Sequence, residues 1–77
     1  MEYQDVENML KIVNQELEKA GSLFHVEMRE DNLYVVLKVV YKEGKHEITL
    51  KPDDQMILSE AFRTLEGIIL GLKLSRI

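Results

Sequence analysis

The chain has 77 residues, no cysteine, 31% charged residues and a net charge of −4. That length leaves room for one small domain over 1–77, and the missing cysteine excludes a disulfide framework and a thiolate metal site. The acidic balance argues against a polyanionic partner, because phosphate neutralisation needs a basic patch.

The opening "MEYQDVENML" has neither the basic region nor the apolar core of a secretory signal. The longest apolar run, "GIILGL", is far short of the roughly 20 residues a membrane span needs. The expectation is a cytoplasmic protein with no membrane partner. Residues 3 to 20 carry Tyr3, Val6, Met9, Leu10, Val13, Leu17 and Ala20 at three- and four-residue spacing. That period predicts an amphipathic helix, with Asp5, Glu7, Lys11, Gln15, Glu16 and Glu18 on its wet side. Gly21 is the expected stop.

Three strands are predicted at 23–30, 33–42 and 45–50, joined by two-residue turns at Asp31-Asn32 and Glu43-Gly44. The first turn sets Met28 opposite Val35, Val26 opposite Leu37 and Phe24 opposite Val39. The second sets Val39 opposite Ile48 and Leu37 opposite Leu50. Directly opposite residues share a face. Both hairpins therefore define one apolar face: Phe24, Val26, Met28, Val35, Leu37, Val39, Ile48 and Leu50. Pro52, Asp53 and Asp54 are expected to open a second helix, the carboxylates capping its first turn. Its inner stripe is Ile57, Leu58, Ala61, Phe62, Leu65, Ile68, Ile69 and Leu72.

The expected fold is α+β, a two-layer α-β-β-β-α domain. It has a three-stranded antiparallel meander with both helices on one face. This order of elements resembles that of the double-stranded RNA-binding domain. The resemblance implies a lysine cluster at the start of the second helix that reaches phosphates. Here that position reads "KPDDQMILSE", with Lys51 alone before Asp53 and Asp54.

Apolar residues are left over on two surfaces. One is the outer sheet face, centred on Tyr34, Val36 and Val40 and bordered by Lys38, Lys42, Lys45 and Lys51. The other is the outer side of the second helix, with Met56, Gly67, Leu70, Gly71 and Leu74. A glycine in a helix interior costs about 1 kcal/mol relative to alanine, so two of them invite a reason. Close approach of another helix is one such reason.

Chemistry is sparse. His25 and His46 fall on opposite sheet faces and cannot share a metal. The adjacent carboxylates are Glu30-Asp31, in a turn, and Asp53-Asp54, at a helix start. Ser22, Ser59 and Ser75 have no nucleophile-elbow context, and the four glycines form no phosphate loop. The reading is a non-enzymatic protein-interaction module without cofactor or metal, an adapter or an inhibitor of the kind some phages carry. It is expected to form a homodimer through the second helix and to hold the sheet face for an unidentified protein partner. The alternative is a nucleic-acid-binding module using the lysine-bearing sheet face.

Overall fold

A computed structural model of the chain describes residues 1–41, 47–49 and 55–75, with the side chains of all but 47–49. The first helix, α1, spans Tyr3–Lys19. At its start the Asp5 carboxylate accepts the Glu2 N–H at 2.9 Å, satisfying a backbone donor that the helix leaves open. At its end Gly21 takes φ 71, the left-handed region that suits glycine. Gly21 N–H then donates to Glu18 O, and Ser22 N–H to Leu17 O, both at 3.0 Å, closing the helix with a Schellman motif. Val6 and Val13 are buried, with Tyr3, Met9, Leu10 and Leu17 packed around them.

Strand β1 is Phe24–Asp31 and strand β2 is Tyr34–Tyr41, paired antiparallel. The register sets Met28 opposite Leu37, Val26 opposite Val39 and Phe24 opposite Tyr41. The turn is therefore Asn32-Leu33, one position later than expected, and Asp31 pairs with Tyr34 instead of turning the chain. Asn32 supplies the left-handed residue, at φ 57. Moving the turn by one position moves each pairing by two, and a shift of two keeps every side chain on its face. The apolar face of this hairpin is consequently the expected one. Phe24 and Tyr41 meet with ring centroids 4.3 Å apart.

The expected three-stranded meander needs correction. The framework is two helices with a two-stranded antiparallel sheet, α-β-β-α. Among the described residues, the far edge of β2 carries short pairing. Strand β3 is the three residues Glu47–Thr49, set against Lys38–Val40 with Val39 opposite Ile48. Beyond it comes a single bridge between Val35 and Met56. Val35 N–H donates to Met56 O at 2.8 Å, and Met56 N–H to Val35 O at 2.9 Å. The two patches do not share a register: β2 advances three residues from Val35 to Lys38, while the other chain segment uses seven from Thr49 to Met56. Sequence explains the break. Carried on in the β3 register, position 52 would face Val35. Position 52 is Pro, which has no N–H for the Val35 carbonyl.

The second helix, α2, is Leu58–Leu74, with Ile57 at its N-cap and no side-chain cap bond. Its expected opening at Pro52, Asp53 and Asp54 is corrected, because the segment Gln55–Ile57 is still extended toward the sheet; the three residues themselves lie outside the described residues. Glu60 in the first turn suits the positive end of the helix. One cluster joins Val6 and Val13 of α1, Val26 of β1, Val35 and Leu37 of β2, Met56, and Ala61, Leu65 and Ile69 of α2. Both helices thus cover the same hairpin face. No helix among the described residues is long and apolar enough to cross a membrane.

Asn14, on the flank of the α1 stripe, also reaches the sheet. Its Nδ2 donates to Val26 O at 2.9 Å, and its Oδ1 accepts the Val26 N–H at 2.7 Å. Val26 belongs to an edge strand, so this amide stands where a neighbouring strand would otherwise pair.

Candidate functional site

The outer side of α2 gathers two large exposed apolar side chains beside two glycines. Gly67, Leu70, Gly71 and Leu74 are spaced by three, one and three residues, which stacks them on one helix face. That face points away from the buried stripe of Ala61, Leu65 and Ile69. Leu70 is 56% exposed and Leu74 69%. A Cβ added at Gly67 or at Gly71 meets no described atom within 4 Å. Neither glycine is therefore needed for packing among the described residues. Replacing both by alanine should stabilise the monomer by about 1 kcal/mol per site, from helix propensity alone. Urea denaturation at low protein concentration measures this, and a loss of stability would give the glycines an intramolecular role. The face carries Glu60, Arg63, Glu66 and Lys73 on and around it.

Three expected interface residues are not available on the surface. Met56 is buried because its backbone bridge to Val35 turns it under α2, where its sulfur lies 3.9 Å from the Thr64 hydroxyl. Val36 and Val40 are only 1% and 6% exposed, although they stand on the opposite face from Val35 and Leu37. Their cross-strand neighbours give a physical reason. Arg29 is directly opposite Val36 and His25 directly opposite Val40. Long side chains at such positions shelter an apolar neighbour with their stems. The His25 ring is itself held by Glu27, Nε2 to Oε1 at 2.9 Å. What remains on that face is a shallow hollow of about 140 Å³, lined by Glu27, Met28, Arg29, Val36 and Lys38. The lysines Lys42, Lys45 and Lys51, and His46, lie outside the described residues.

Tyr34 remains exposed, and lines a second hollow of about 150 Å³ with Tyr3, Glu30 and Leu58. Burial, with the carboxylates of Glu7 and Glu30 nearby, raises the Tyr3 phenol above its ordinary pKa of 10.0. Among the described residues, no group of three or more His, Asp or Glu side chains is placed to hold a metal ion.

Of the eight expected interface residues, the structure gathers four on α2: Gly67, Leu70, Gly71 and Leu74. Tyr34 stands apart at the hairpin turn. Compared with protein-family models, with curated proteins and with solved structures, the chain finds no match in any of the three.

Proposed function

We propose that the chain is a small non-enzymatic protein-interaction module, an adapter or an inhibitor, that self-associates or docks on a protein partner through the outer face of α2. The observation that carries this reading is the exposure of Leu70 and Leu74 beside two glycines that no contact among the described residues requires. Apolar side chains gathered on one face mark a contact surface more strongly than the same residues scattered singly. The open positions at Gly67 and Gly71 let a partner approach the helix backbone closely. The alternative, nucleic-acid binding by the outer sheet face, has less support, since Glu27 borders the same hollow as Arg29 and Lys38.

The test is differential capture from native lysate, with mass spectrometry. Wild type is compared with Leu70→Glu combined with Leu74→Glu, and with Ile12→Glu on the exposed side of α1 as control. Both variants alter exposed positions and should fold, which circular dichroism checks. A protein captured by wild type and by the Ile12 variant, but lost with the α2 variant, supports the reading. Equal capture by all three would place docking elsewhere.

A further inference from the structure

We propose that a second copy of this chain occupies the outer face of α2, with the two α2 helices packed antiparallel about a two-fold axis. The proposal rests on reading that face as a docking surface, and adds the occupant and its register.

The argument for a second copy is charge. Glu66 and Lys73 are seven residues apart, close to two helical turns, and so lie on the same flank of the Leu70 and Leu74 face. Both are exposed, and neither forms an ion pair among the described residues. A two-fold antiparallel pairing brings like flanks together with the chain direction reversed. Glu66 of one copy then meets the partner's Lys73, and the same contact repeats across the axis. A parallel two-fold pairing would instead bring opposite flanks together and set Glu66 and Lys73 against the partner flank of Thr64, Ile68 and Ser75, which carries no charge. The helix contains its own complement only in the antiparallel arrangement.

The apolar residues agree with that register. Centred midway between positions 66 and 73, Leu70 meets the partner's Leu70 at the axis. Leu74 falls between the partner's Arg63 and the partner's Gly67, and the missing Cβ of the partner's Gly67 leaves room on one side. The opposed helix dipoles also favour the antiparallel sense. Closed two-fold pairs of this kind bury the same patch on both copies and leave no open end for further growth. One helix per copy is a small contact, so the dimer belongs with weak, transient interfaces rather than obligate ones.

Light scattering and sedimentation equilibrium test this at roughly 300 µM protein, a concentration suited to micromolar dissociation constants. The samples are wild type, Glu66→Lys, Lys73→Glu, and an equimolar mixture of the two variants. Wild type should associate as a dimer. Each variant alone sets like charges together twice and should dissociate about tenfold more readily. The mixture restores both opposite-charge contacts and should associate at least as well as wild type. Single variants that dimerise like wild type, or a mixture that stays monomeric, would overturn the antiparallel register. A monomeric wild type would overturn the self-pairing altogether. In that case a captured protein lost with the Leu70 and Leu74 variant would leave the docking reading standing, and unchanged capture would remove both.

Discussion

Leu37→Ala should lower the unfolding free energy by about 2–5 kcal/mol, the usual cost of emptying a leucine site in a packed core. Leu37 is 1% exposed, near the middle of β2, and stands directly opposite Met28. It belongs to the cluster in which α1 and α2 meet the hairpin. A cavity there has a helix layer on one side and the backbone of β2 on the other. Small domains have only about 5–15 kcal/mol of stability in all, so the loss is a large share. Leu33→Ala is the matched control. Leu33 sits in the hairpin turn and is almost wholly exposed, so its truncation should stay within about 0.5 kcal/mol. Urea midpoints for the two variants decide the matter. An unchanged midpoint for Leu37→Ala would mean that this sheet face is not the core.

The parts of the fold that could be read from sequence are those fixed by local periodicity. Tyr3 to Leu17 repeat at helical spacing, and Gly21 ends the helix because a left-handed residue is required there. The hairpin face survived an error in the turn, since the pairing error of two residues leaves the alternation intact. Asp31 and Asn32 both have turn chemistry, and only the left-handed conformation of Asn32 separates them. What local pattern does not reveal is long-range pairing. Met56 reads as helical next to Ile57 and Leu58, yet the demand of Val35 for an edge partner holds it extended. Val36 and Val40 read as surplus surface because the expected turn, one position early, set Glu27 across from Val36 and Leu23 across from Val40, where the structure has Arg29 and His25. On the candidate surface, Leu70, Leu74 and the two glycines were legible because a helix wheel fixes which side they take. Lys73 completes the charge pattern only when two copies are set in opposite directions, which a single chain does not display.

Asn14→Ala is expected to destabilise the chain by about 1–3 kcal/mol, the range for leaving buried polar groups without partners. The side chain makes two bonds at once, one from Val26 N–H and one to Val26 O. Val26 is a buried residue of the core cluster, so water replaces these bonds poorly. Nothing in the sequence around Asn14 announces this role, because its partner is twelve residues away and on another element. The amide is suited to it by having one donor and one acceptor in a plane, which matches the pair of groups a strand presents. Asn14→Asp separates the two bonds. A carboxylate still accepts the Val26 N–H, but it turns a lone pair toward the Val26 carbonyl and offers no proton. At neutral pH that substitution should therefore recover little of the lost stability, and wild-type stability in it would show that the donated bond carries no weight. There is a second consequence for association. Removing the amide leaves β1 with open backbone groups at its edge, and such edges pair with other chains. The Asn14→Ala protein should aggregate on heating at concentrations where wild type stays clear, and this association should persist when Leu70 and Leu74 are replaced by glutamate. Aggregation abolished by those helix substitutions would place it on α2 and exclude the β1 edge as its cause.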